Sequence, residues 1–216
     1  MGATANTGGN KKFYKVVGLK KGTEKIWISE NVKDESGKWV NQGEFNALSG
    51  YFKSISFGEY EYEGEKKKNL VITLVENGNE FCLSGNFNNL FKGVLNSLSG
   101  SGSLGFIEIS VGINKGGYPS GWVKNSGERT NWALSVDEQN ALCKIYKDDN
   151  GKFLSKDDSK LIDKLIELCG KIEPAEGNEL NSIGNATNPY EGDVAADLPK
   201  EKETVMESDD PDDLPF

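Results

Sequence analysis

The 216-residue chain predicts a mainly β fold with a few helices, of the α+β class. Three observations carry that expectation. Apolar and polar residues alternate over several short runs, the period of a strand with one buried face. Asn77-Gly78 lies between two such runs and is a strong hairpin signal, because both residues tolerate positive φ. One stretch inside the β region and two after it switch to helical spacing.

In chain order, residues 1–10 are rich in Gly, Thr and Asn and are expected to be a flexible arm. Residues 12–17 and 24–29 alternate as strands, with Lys-Gly between them suiting a turn. In the second run Ile26 and Ile28 share a face, so Trp27 points the other way. Glu35-Ser-Gly-Lys-Trp39 reads as a hairpin tip, followed by a short link to Phe45. Residues 51–62 form a long strand with Ile55 and Phe57 inward, a bulge at Gly58, and Tyr60 and Tyr62 on one face. A polar turn over 63–68 ends in Lys66, Lys67 and Lys68. Leu70, Ile72 and Leu74 line one side of the next strand, 69–76, and the hairpin returns through 80–84.

Over 86–98, Phe87, Leu90, Phe91, Val94, Leu95 and Leu98 make an apolar helical stripe. Residues 99–105 read as a flexible linker. Residues 106–114 read as a strand with Ile107, Ile109, Val111 and Ile113 inward. A Gly/Pro turn at 115–121 and short strands at 122–124 and 129–134 complete the β region. Three strands, a helix and two strands is the order of an OB-fold, a small five-stranded Greek-key barrel that binds oligonucleotides on an open face. The barrel would occupy about residues 51–134, with the N-terminal strands as an extension. Two helices should follow. Ser135-Val-Asp-Glu138 is a capping box for one reaching about Tyr146. Ser155-Lys-Asp-Asp158 opens another, whose Leu161, Leu165, Ile166 and Leu168 pack inward and whose stop is Gly170.

Residues 11–172 therefore make one folded domain, and 173–216 a disordered acidic tail. The tail holds five of the six prolines, and its aromatics are Tyr190 and Phe216. Charge divides at the same place. Of 34 acids and 25 bases, 13 acids and two lysines fall in 173–216, a net of −11, which leaves +2 for 1–172. A mildly cationic body tied to an anionic tail suits a polyphosphate partner, because the tail can occupy a cationic groove until the polyphosphate displaces it.

Several chemistries lack their residues. There is no histidine, which removes the Ser-His and Cys-His pairs and most zinc sites. Cys82, Cys143 and Cys169 have no metal-like spacing, and without a secretory signal or long apolar run a reduced cytoplasmic setting is expected. Gly100-Ser-Gly102-Ser-Leu-Gly105 spells the dinucleotide glycine pattern, but after a helix and before a strand, the reverse of the required context. Asp148-Asp-Asn-Gly151 hints at a calcium loop, yet aligning Gly151 with the turn glycine puts Tyr146 at the first ligand position. Asn185-Ala-Thr187 fits a glycosylation sequon that has no meaning in a cytoplasmic tail. Neither enzyme activity, metal nor cofactor is expected.

What remains is aromatics interleaved with lysines on β-structure. Flat rings offer a stacking partner to any base, and Lys/Arg track the phosphates. The candidates are Trp27; Tyr60 and Tyr62 beside Lys66, Lys67 and Lys68; Tyr118 and Trp122 flanking a turn next to Lys115 and Lys124; and Trp132 after Arg129. Lys20, Lys21 and Lys25 could add a rim. Phe57, Phe81, Phe87 and Phe91 fall on core faces. The alternative is a β-rich interaction adaptor whose acidic tail binds a basic protein, with no nucleic acid.

The last ten residues, Glu-Ser-Asp-Asp-Pro-Asp-Asp-Leu-Pro-Phe, put five carboxylates ahead of two apolar points, Leu214 and Phe216. This tip resembles the C-terminal peptide of single-stranded DNA-binding proteins, where an acidic run leads into Pro-Phe. The resemblance covers about ten residues. It implies a protein of the bacteriophage type that coats single-stranded DNA in replication, recombination and repair within the host cytoplasm. It also implies that Asp209, Asp210, Asp212, Asp213, Leu214, Pro215 and Phe216 recruit replication proteins and compete with DNA for the groove. The N-terminal extension and the trailing helices depart from the bacterial protein, whose barrel begins almost at its start and which assembles as a tetramer. Compact phage proteins with an acidic tail are the nearer comparison.

Overall fold

A computed structural model describes residues 10–20 and 22–175. Residues 1–9 of the arm, Lys21 and the tail beyond Ala175, with its tip, lie outside the described residues. The elements are β1 (Lys11–Val17), β2 (Trp27–Lys33), β3 (Trp39–Phe45), β4 (Ala47–Tyr62), β5 (Glu65–Glu76), β6 (Asn79–Asn86) and α1 (Asn89–Ser99). They continue with β7 (Ser103–Leu104), β8 (Phe106–Ile113), β9 (Pro119–Asn125), β10 (Glu128–Arg129), α2 (Val136–Ala141), β11 (Lys144–Lys147), β12 (Phe153–Asp157), α3 (Ser159–Cys169) and β13 (Glu173–Pro174). The described chain is mainly β with three helices.

Nine strands form one sheet in the order β10-β9-β8-β4-β5-β6-β1-β2-β3. Neighbours are antiparallel except β6 and β1, which run parallel from Lys11 opposite Glu80 to Lys15 opposite Ser84. Because β6 already has β5 on one side and β1 on the other, it has no edge left for β9. The sheet therefore ends at β10 and β3 and is open, where a closed barrel was expected.

Hairpin chemistry sets the register. Asn77 and Gly78 take φ of 50° and 73°, the left-handed pair of a two-residue turn. Three other tips share one device. Asp34, Asn114 and Asp148 each accept from the backbone N–H groups two and four residues on, at 2.8–3.0 Å. Each tip has a left-handed glycine three residues after that side chain: Gly37, Gly117 and Gly151. The last explains Asp148-Asp-Asn-Gly151 as the β11–β12 tip, where the sequence suggested helix up to Tyr146; α2 stops at Ala141.

Other boundaries move for local reasons. Residues 39–45 are an edge strand rather than a link. Lys66, Lys67 and Lys68 lie inside β5, because the turn is only Glu63 and Gly64. The register is unbroken at Gly58 and shifts between Phe52 and Ser54 instead. Gly58 serves close approach, since a Cβ there would lie 2.5 Å from Asn69 Oδ1. The 99–105 segment is tied down by β7, which pairs with β13, so residues 173–175, expected in the tail, belong to the described fold. Ile113, expected inward, is 37% exposed at the outer end of β8.

The core fills one face of the sheet. Tyr14, Val16, Ile28, Phe52, Leu70, Ile72, Leu74, Leu83, Ile107, Ile109 and Val123 meet the α1 stripe of Leu90, Phe91, Val94, Leu95 and Leu98. Leu161, Leu165 and Cys169 of α3 join them, and Lys92 of α1, itself buried, pairs with Asp158 at the start of α3. Asn96 of α1 is fully buried; its amide donates to the Leu134 carbonyl at 2.9 Å and accepts from the Leu134 N–H at 2.8 Å. Its own carbonyl accepts from Ala133 N–H at 3.1 Å. These three bonds fix the segment that carries Trp132. No described helix is long and apolar enough to cross a membrane.

Candidate nucleic-acid interface

Strand side chains alternate between faces, so the residues between the core positions define a second face. Its centre is low and mostly polar. One row runs Ser56, Val71, Ser84, Lys15, Ser29 across β4, β5, β6, β1 and β2. The row beside it is Ser54, Thr73, Cys82, Phe13, and the row on the other side is Gly58, Asn69, Asn86. Ser29, Asn69, Thr73 and Cys82 of this floor are buried, so the taller residues around them supply most of the accessible surface.

Those neighbours include rings, and four of them, Phe13, Trp27, Trp39 and Tyr62, have a lysine ammonium near the ring centre. Beyond the Gly58 row, Tyr60 lies opposite Lys67, and Lys67 Nζ sits 4.6 Å from the centre of the Tyr62 ring. At the other end Tyr51 packs edge-on against Phe106, with centroids 5.3 Å apart. On β9, Trp122 lies across Gly112, where a Cβ would come within 3.0 Å of the indole. On β1–β3, Lys11 lies 5.9 Å from Phe13, Lys25 5.5 Å from Trp27 and Lys33 5.0 Å from Trp39. An ammonium over a ring contributes roughly 0.5–1 kcal/mol at an exposed site, little enough for a base to compete for the same ring.

Carboxylates temper the charge. Glu80, between Lys11 and Lys53, is half-buried; burial pushes its carboxyl up, but the two ammonium groups outweigh that and hold it below the usual range. Glu108 is held low chiefly by the hydrogen bond from Lys124, at 2.8 Å.

The sequence candidates fall into three groups on this face, with the others on the opposite face, in a turn or after β10. Tyr60, Tyr62 and Lys67 cluster at the β4–β5 tip. Trp122, Lys124 and Arg129 share the β8–β9–β10 end, with Arg129 exposed and opposite Lys124. Trp27 stands alone on β2. Lys66 and Lys68 point to the other face, opposite Glu61 and Glu59, and Lys68 Nζ bonds Asp163 of α3 at 2.7 Å. Strict alternation means that three consecutive lysines cannot share a face. Lys115 and Tyr118 sit in the tip organised by Asn114, at the opposite end of β4 from Tyr62. Trp132, 48% exposed, follows β10 on the segment held by Asn96.

Phe13, Tyr51, Phe106, Trp39, Lys11, Lys15 and Lys33 were not singled out from the sequence. Alternation against Tyr14 and Val16 would have placed Phe13 and Lys15 beside Trp27. Among the described residues no group of three or more His, Cys, Asp or Glu side chains could hold a metal ion. Family models, curated proteins and solved structures were all compared with the chain, and none gives a significant match.

Proposed function

We propose that the chain binds single-stranded DNA without reading its sequence, and that it acts as a binding protein rather than an enzyme. The observation that carries this reading is the second face: a low polar floor bounded by rings with ammonium groups 4.6–5.9 Å from their centres. Bases would stack on the rings, each contributing about 1–3 kcal/mol, while the displaced lysines take up phosphates.

The strand order supports the same reading. Within the open sheet, β9-β8-β4-β5-β6 with α1 between β6 and β8 has the order and helix position of an OB-fold. In that fold the second and third strands and the loops after the first and fourth strands hold the oligonucleotide. On this reading their counterparts would be β5, β6, the Glu63-Gly64 turn and the Asn114–Tyr118 tip, and β5 and β6 carry part of the floor.

Residues 207–216 are the proposed second function: they vie with DNA for the face and recruit replication and recombination proteins. A flexible chain of about forty residues would span roughly 35 Å, enough for such a tail to return to the sheet. Poly(dT) should quench tryptophan fluorescence, and removing residues 207–216 should tighten binding, most at low salt. Unchanged fluorescence with no retention of labelled poly(dT) at low salt would refute the DNA reading. Weaker binding of the truncated chain at every salt concentration would refute the competition alone.

A further inference from the structure

We infer that the second face of β1–β3, outside the barrel-like set of strands, is an additional stretch of the single-stranded DNA track. This rests on the reading above and extends it to residues on the N-terminal strands. Parallel pairing of β1 with β6 carries the floor across the seam without a step: Cys82 faces Phe13, Ser84 faces Lys15, and Lys15 faces Ser29 on β2. With strands about 4.8 Å apart, the three gaps from β6 to β3 add about 14 Å of face.

That added face repeats the chemistry of the rest. Each of its three strands presents one half-buried ring, Phe13, Trp27 or Trp39, with an ammonium 5.0–5.9 Å from its centre. Lys11, Lys15 and Lys33 point to this side, while Glu30 points to the core side and Glu44 is paired with Lys25. Between the rings lies Asn31, opposite Asn41, whose buried Oδ1 accepts no hydrogen bond from the described residues. Three ring–lysine pairs are more than packing requires of an edge hairpin.

The test compares the full chain with Trp39→Ala and Lys33→Glu. Affinity is measured on labelled oligo(dT) of about 8 and about 24 nucleotides, lengths chosen around the 4–16 nucleotides that one OB barrel covers. Trp39→Ala should weaken the longer oligomer by about 5- to 150-fold, the fold-change of one lost stack. Lys33→Glu should lower the salt slope for the longer oligomer by about one. Circular dichroism melting checks that both variants fold, and Lys33→Glu, at an exposed position, keeps the test alive if Trp39→Ala does not. Weakening at both lengths also supports the assignment, placing the tighter part of the track on β1–β3. If the full chain binds both oligomers and the variants match it in affinity and salt slope, the extension is wrong and the core reading stands. If the full chain binds neither, both fall.

Discussion

Replacing Asn96 with leucine tests how the Trp132 segment is held. The carboxamide is fully buried and makes two bonds, at 2.8 and 2.9 Å, to the N–H and C=O of Leu134. Leucine has nearly the same shape and no polar atom, so the Leu134 N–H loses its partner in place, while the Leu134 C=O keeps the Gln139 Nε2 donor at 3.2 Å. The orphaned buried N–H should cost about 1–3 kcal/mol. That is a sizeable part of the 5–15 kcal/mol typical of a whole domain. With a urea slope near 2 kcal/mol/M, the midpoint should fall by about 0.5–1.5 M. Asn96→Asp keeps the acceptor but loses the donor, and it adds a charge in a dry site, so it should also destabilise. A midpoint shift below about 0.2 M for Asn96→Leu would mean that water or a relaxed backbone satisfies Leu134, and that the segment is not held as described.

Three further outcomes follow from the same geometry. Lys67→Ala should weaken DNA binding and lower the salt slope, whereas Lys68→Ala, whose ammonium serves Asp163, should leave the slope unchanged; titrations at several salt concentrations separate them. Glu80 has a folded pKa below its ordinary 4.5, so its stabilisation is complete above that value and is lost as pH falls through the lower folded one. The stability gap between the native chain and Glu80→Gln, measured by melting, should therefore shrink on acidification from pH about 6 to about 3. Cys82 and Cys169 are buried, and burial pushes both thiols up, Cys169 to about 11. A thiol reagent near pH 8 should modify Cys143 quickly and the other two only after unfolding, and rapid reaction of all three would contradict the packing of α3.

Local signals read well from the sequence where they were sufficient. Asn77-Gly78, the Leu70–Ile72–Leu74 alternation, the α1 stripe and the Ser135–Glu138 capping box each appear as expected, because each is decided within a few residues. The β3 strand was not legible, since an edge strand buries little and Asn41, Gln42 and Gly43 carry no apolar pattern. The β11–β12 hairpin did have a readable signal. Its tip repeats the Asp34-x-x-Gly37 spelling that the structure shows at the β2–β3 tip. Pairing of β1 with β6 has no local signature at all, and it decides that the sheet stays open. At the site, Trp27 could be placed by alternation alone, whereas Lys66 and Lys68 were misplaced because their lysine run was read as a turn. The tail residues, legible as a motif, lie outside the described chain.

The parallel seam between β1 and β6 also sets a schedule for synthesis. Ser84 donates to the Tyr14 carbonyl from 70 residues further along the chain. At 5–20 residues per second, β1 leaves the ribosome about 4–14 s, and β3 about 2–8 s, before the strand that β1 must join. In that interval the Phe13, Trp27 and Trp39 side chains belong to a hairpin with no sheet to lean on. Fast translation, or a chaperone that holds nascent β-hairpins, should therefore raise the yield of native protein.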